Sequence, residues 1–277
     1  MIGAPVARLG ACLAAALWLA IVPAAAQTPS PLANWQYSVG EVLMKLGGPL
    51  PDWRVTLGAG AEMEPIYEGS KRYAVTPSVV IDVRYKDIAF LSDGEGLGVN
   101  LLRGRTYRAG IAIDYDLGRD HHVHHRLTGI GNVGVAPEAK LFAEYFLLPF
   151  VYRIDIRRGL GGHDGVIGDL GAYVPLPVAK NTYVFTGPSI TFADTRYMRA
   201  YFGISPAQAS RSQFSAFDAH GGLDRAGWGV TAAYTYNKHL VFQVQGAWEY
   251  MLGDAGRSPI VEEKSQVAVG ANVIYRF

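Results

Sequence analysis

The segment "VAVGANVIYRF" at residues 267–277 alternates without a break. Counting back by twos from Phe277 gives Tyr275, Val273, Ala271, Val269 and Val267, while Arg276, Asn272, Gly270 and Gln266 fall on the other face. Successive side chains of an extended strand point to opposite sides, so a period of two means a strand with one apolar and one polar face. The terminal aromatic ring is a further signal, because soluble domains usually finish in a frayed polar stub.

The same pattern recurs along the chain. "VTLGAGAEM" at 55–63 puts Val55, Leu57, Ala59, Ala61 and Met63 on one side, and "VTPSVVIDVRY" at 75–85 does the same with Val75, Val79, Ile81, Val83 and Tyr85. In "YRAGIAIDYD" at 107–116, Tyr107, Ala109, Ile111, Ile113 and Tyr115 alternate with Arg108, Gly110, Ala112, Asp114 and Asp116. Further strands of this kind are "PEAKLFAEY", "YRIDIRR", "VIGDLGAYVPL", "YVFTGPSITF", "WGVTAAYTY" and "LVFQVQGAWEY". A soluble sandwich turns its apolar faces into a bulky core. Here glycine, charge and amide fill the opposite face in strand after strand, which suits a transmembrane antiparallel β-barrel with its apolar band in lipid.

Aromatics and connections extend this reading. Tyr85, Tyr107, Tyr145, Tyr152, Tyr236, Tyr275 and Phe277 gather at one rim, and Tyr115, Trp228, Trp248 and Tyr250 at the other, as two interfacial belts would require. Connections near Lys86, Arg103, Leu148, Val178 and Asn237 are short, whereas 64–73, 118–134, 158–165, 194–226 and 252–263 are long. Short turns belong to the periplasmic side and long loops to the outside. The alternation holds if "IAFLSD" and "LGVNLL" are two short strands around "DGEG", which predicts about twelve strands with both termini periplasmic; about ten, with one distorted hairpin, is the alternative.

The start of the chain points to export. Arg8 precedes the apolar run "LGACLAAALWLAIVPAAA", which closes on an Ala-x-Ala site at Ala24 and Ala26, so residues 1–26 read as a signal peptide. The only cysteine, Cys12, lies within it. Lys+Arg number 25 against 24 Asp+Glu, a balance that gives no argument for nucleic acid as a partner. Beyond the signal peptide no apolar run reaches the roughly 18 residues of a membrane helix. Residues 27–53 form an expected periplasmic N-terminal segment, and 54–277 the barrel. Within the segment, "SVGEVLMKLGG" has Ser38 and Glu41 at capping-box spacing. Val39, Val42, Leu43 and Leu46 recur at helical spacing, which suits a short amphipathic helix that could plug the barrel or dock on a partner; a flexible tether or an extra strand is the alternative.

The inward faces carry Arg108, Asp114, Glu138, Lys140, Glu144, Arg153, Asp155 and Arg157, with both signs mixed. Opposite charges sharing a narrow interior pair and occlude it, whereas an ion filter more often carries one sign in a ring. A narrow channel for small polar solutes is the rival reading. No cofactor is expected. "HHVHH" places His121, His122, His124 and His125 in a polar loop, where they could hold a transition metal or simply stay solvated. Glu62, Glu64 and Glu68 could form an acid pair, a cation site or an acidic rim. Ser258, Asp254 and His220 could be arranged as a hydrolase triad, but no nucleophile-elbow pattern surrounds the serine. Tyr275 and Phe277 are the expected assembly signal for barrel-insertion machinery, because an unpaired terminal strand is a template for strand addition.

Several loop words resemble those of the MipA/OmpV family of outer-membrane proteins. They are "YEGSKRYAVTP" at 67–77, "YDLGRD" at 115–120, "LTGIGNV" at 127–133, "YFGISPAQASRS" at 201–212, "HGGLDRAGWGV" at 220–230 and "LGDAGRSPIVEEKSQVAVGANVIYRF" at 252–277. The resemblance implies a Gram-negative outer-membrane barrel. It also implies a scaffold role, since one member joins a membrane-bound lytic transglycosylase to a bifunctional murein synthase, and an adhesin role is the further alternative. Physically, these words fall where long loops meet strands, and they read either as loops folded back over the outer mouth or as a binding site.

Overall fold

The computed structural model describes Leu32 and residues 51–277. The expected signal peptide, the expected short helix and the docking face of Val39, Val42, Leu43 and Leu46 lie outside the described residues.

The alternating segments become strands β1 (Trp53–Pro65), β2 (Tyr73–Tyr85), β3 (Ala89–Ser92), β4 (Gly96–Arg103), β5 (Tyr107–Asp116) and β6 (Ala136–Leu147). They continue as β7 (Phe150–Gly159), β8 (Val166–Ala179), β9 (Thr182–Ala193), β10 (Gly222–Thr235), β11 (Leu240–Met251) and β12 (Ser265–Arg276). Each pairs antiparallel with its sequence neighbours, and β12 closes on β1 from Thr56↔Arg276 to Met63↔Val269. The twelve-strand closed barrel is therefore the architecture, and the ten-strand alternative falls. Closure leaves no free terminal edge, which is what lets a sheet cross a bilayer. Among the described residues no helix is long and apolar enough to cross a membrane.

Facing follows the period of two. Ile111, Leu141, Ile154 and Val273 are exposed on the outside, whereas Arg108, Lys140, Glu144 and Arg153 are buried inside. Tyr107, Tyr145 and Tyr152 stand in one cross-strand row, and Trp228 faces Trp248 in register. The terminal aromatics are tied down at the same end as the start of β1: the Phe277 backbone N–H donates to the Val55 carbonyl at 3.0 Å, and the Tyr275 ring stacks on His239 and meets Phe277.

One hairpin departs from the pattern. β3 pairs only with Asp82–Tyr85 of β2, so the upper part of β2 has a ladder to β1 alone. Pro77 lies on that stretch, where a missing N–H is tolerated. The turn of this hairpin, with Glu95, consequently sits part-way down the barrel wall and not at its rim.

The long connections are folded. Residues 194–221 contain helices α1 (Thr195–Phe202) and α2 (Pro206–Ala209). Asp194 caps α1 by accepting the Tyr197 N–H, and Ser205 and Gln208 form a capping box on α2. The expected loop 194–226 ends earlier, because β10 begins at Gly222 and a bulge between Leu223 and Arg225 carries the strand onward.

Candidate functional site

The lumen is crossed by a ladder of alternating charges. Arg108 donates to both oxygens of Glu144, at 2.6 and 2.8 Å, and also to Glu95. Glu95 in turn takes Arg84, which is held bidentate by Asp82. On the other side Arg153 lies 3.7 Å from Glu144 and 3.1 Å from Asp155, and Arg157 reaches Asp155 at 3.3 Å, Asp169 at 2.5 Å and Glu138 at 3.6 Å. Lys140 pairs with Asp114 at 2.7 Å. The eight expected lumen charges thus share one interior and neutralise one another. A desolvated pair of this kind is held by mutual geometry, and removing one partner strands the other. Nearer the loops a second knot forms from Arg225, Asp224, Glu249 and Glu68. The bulge at Leu223/Arg225 explains it, since it lets adjacent residues Asp224 and Arg225 both turn inward.

Toward the short-turn end the inward face changes character. Phe146, Val151, Tyr173, Phe185, Val241 and Ile274 form an apolar cluster on the β6–β12 side, and Leu32 from the N-terminal segment is completely buried within it. The β1 and β2 side of the same end carries buried Arg54 and Arg84, so the apolar lining there is one-sided.

At the opposite end the loops pack on one another. Tyr67, Leu127, Ile130, Ile204, Phe214 and Ile260 form one buried cluster, and Tyr197, Met198, Tyr201 and Phe202 of α1 anchor a second. Polar ties join the same loops: Arg119 donates to the Tyr201 carbonyl, Arg126 to the Pro259 carbonyl at 2.9 Å, and the Glu262 N–H to the Gly69 carbonyl at 2.7 Å. Tyr201 donates to Asp116 at 2.7 Å, and burial pushes its phenol well up. This is the folded-back reading of the loops, and the words of the sequence resemblance supply most of its residues.

The other expected groupings separate. Asp254 does meet His220, at 3.2 Å, but the Ser258 hydroxyl is buried and donates to the Phe202 carbonyl at 2.6 Å. Glu62 accepts from Ser78 and Gln245, while Glu68 belongs to the Arg225 knot, so the three glutamates do not converge on one ion. The four histidines split into two pairs, His121 with His122 and His124 with His125. A cluster absent from the sequence reading, Asp116, Glu138 and His163, is buried at the top of the ladder. Its imidazole Nδ1 accepts the Gly165 N–H, so the ring proton sits on Nε2 and is donated to Glu138 at 3.1 Å. That tautomer supplies a hydrogen bond and leaves no lone pair for a metal.

Comparison with known proteins assigns the chain. The family model described as MltA-interacting protein MipA matches residues 57–277. The chain belongs to the MipA family. The match runs through all twelve strands of this MipA-family barrel, including the ladder, the apolar cluster and every loop of the cap. No curated protein matches it. Similar solved structures include the NanC porin, at 8% identity and TM-score 0.42, covering 80% of this chain and 98% of that one. Others are the CymD monoaromatic hydrocarbon channel, at 10% identity and TM-score 0.43, covering 89% and 96%, and OmpT of Vibrio cholerae, at 9% and 0.38, covering 82% and 97%. With its family and its closed barrel, the protein is an outer-membrane protein.

Sequence reasoning on this MipA-family chain missed Glu95, Glu68, His163 and Arg225 as interior groups. Glu95 carried a signal nonetheless: a hairpin with strands of four and eight residues has its tip inside the wall, so an acid there must find cations.

Proposed function

We propose that this outer-membrane barrel works as a non-catalytic scaffold whose active surface is its short-turn end, facing the periplasm, and that its partners are murein-cleaving and murein-synthesising enzymes. One observation carries the reading: the loop cap, the paired charges of the ladder and the apolar cluster with Leu32 all occupy the interior. A barrel so filled offers its ends, not its interior, for function. The family description, MltA-interacting protein, supports a lytic transglycosylase as the partner class. The narrow-channel reading requires a continuous polar path past the apolar cluster at the short-turn end.

The test pairs capture with conductance. The purified protein should retain the periplasmic domain of an MltA-type lytic transglycosylase on a surface. Replacing Val39, Val42, Leu43 and Leu46 by Ser, or reversing Lys86, Arg103 and Lys238 to Glu, should abolish capture while the barrel stays folded. Leu32 is left in place so that plug and dock are not confounded. Undiminished capture by both variants, or stable ion-selective currents from the intact protein, would reverse the proposal.

A further inference from the structure

We propose that Asp120, His121, His122 and Asn132, on the long-loop face, form a binding site for a divalent first-row transition metal of the zinc, nickel or copper(II) kind. The site lies outside the lumen and is independent of the scaffold reading.

The local fold builds it. Arg119 and Val133 form an isolated antiparallel bridge with reciprocal backbone hydrogen bonds of 2.9 Å. The bridge sets the next residues on each side, Asp120 and Asn132, opposite one another. Gly118 makes the turn into it at φ +76°, where a Cβ would lie 2.1 Å from the Val133 carbonyl oxygen, so only glycine fits. Asp120 then accepts the His122 backbone N–H at 2.9 Å, and Asn132 accepts the His121 backbone N–H at 2.8 Å. Both oxygen donors are therefore positioned by the main chain, whatever the imidazoles do.

The rings come to these oxygens. His122 Nδ1 lies 2.9 Å from Asp120 Oδ1; His121 Nδ1 lies 2.5 Å from Asn132 Oδ1 and 3.8 Å from Asp120 Oδ1. The rings are 3.8 Å apart between centroids at 38°. The ligand atoms of Asp120, His121 and His122 all lie within 4.8 Å of one another. Ligands about 2.0–2.1 Å from a tetrahedral ion are about 3.3–3.4 Å from each other, which the observed spacings bracket. Binding at the two Nδ1 atoms needs only that each neutral ring carry its proton on Nε2, so the ion replaces two ring hydrogen bonds without a net loss of protons.

Donor chemistry selects the ion. Two imidazole nitrogens, one carboxylate and one amide oxygen suit zinc, nickel or copper(II); calcium and magnesium want more oxygens, and copper(I) wants sulfur. In the neighbouring pair one ring is already engaged. His124 is buried beside Tyr67, and its Nδ1 accepts the Arg126 N–H at 3.3 Å.

The experiment is calorimetric titration of zinc chloride into the untagged, full-length mature protein folded in detergent. One saturable site is expected. Affinity should fall by about tenfold or more in His122→Ala and in the pair His121→Ala/Asn132→Ala, and change by less than about twofold in His124→Ala/His125→Ala. Because these positions lie in a loop, heat-modifiable migration should confirm that every variant is folded. No saturable binding, equal loss in the His124/His125 variant, or unchanged affinity in His122→Ala would each overturn the assignment.

Discussion

Arg108 shows what the interior demands of a single residue. Its guanidinium is buried and shared between Glu144 and Glu95, so Arg108→Ala takes from Glu144 its hydrogen-bonded cation, leaving it only Arg153 at 3.7 Å, while Glu95 keeps Arg84. The expected cost is about 3–5 kcal/mol, read by urea unfolding in lipid vesicles. Replacing Arg108 and Glu144 together by Met should cost less than the single change, because no Glu144 carboxylate is then left behind and Arg153 keeps Asp155. Equal losses would mean that packing volume, not stranded charge, sets the penalty. On the outer wall the logic reverses. Ile111 is exposed to lipid, and Ile111→Arg should cost about 2–4 kcal/mol near the bilayer midplane. The adjacent inward position is not a tolerant one either: Ala112 packs against Phe90 and Phe142, so a large side chain there is overpacked.

At the scale of elements, β12 was the most legible part of the chain, because one face meets lipid and the other the lumen and its pattern has no competing demand. The same held for β5 to β7, whose inward charges were assigned residue by residue. What the alternation could not reveal was depth. Glu95 reads as an exposed turn residue until the shortness of β3 and β4 places it inside the wall, and depth depends on how far neighbouring strands run, which no local period encodes. The cap was hidden for a related reason. Tyr197, Met198, Tyr201 and Phe202 bury one side of α1 only because other loops come down on them. The bridge that assembles Asp120 with Asn132 was likewise invisible, being non-local. Two predictions belong here. Replacing Tyr275 and Phe277 by Ser removes the ring stack on His239 and the interfacial anchor of β12, so membrane insertion should drop while export continues. Normal yield and heat-modifiable migration would refute it. The second concerns the tie between the loops before β10 and after β11. The Asp254 carboxyl is held below its usual range, chiefly by the His220 backbone N–H. A lowered folded pKa stabilises fully above the unfolded value and is lost as pH falls through the folded one. The tie should therefore be intact at neutral pH and loosen only below about pH 4, seen as protease cleavage within 210–221; Asp254→Asn should abolish that acid response.

For the whole molecule, the closures stand in series along one axis, and that arrangement decides how conduction should respond to mutation. On the scaffold reading the cap covers one end, the ladder occupies the middle, and the apolar cluster with Leu32 lies toward the other end. Series barriers add, so lifting one leaves the others in force. Deleting residues 196–219 should expose the ladder to solvent yet leave bilayers electrically silent. Leu32→Ser should do little alone, since Phe146, Tyr173 and Phe185 remain packed on one another there. Current should emerge only when the cap deletion is combined with a polar cluster, for instance Phe146→Ser with Phe185→Ser, and then Arg108 and Glu144 substitutions should shift ion selectivity. Measurement in planar bilayers separates the cases. Steady conductance from the cap deletion alone would show that the ladder and cluster admit water and ions, and the barrel would then be a gated pore whose loops are the gate.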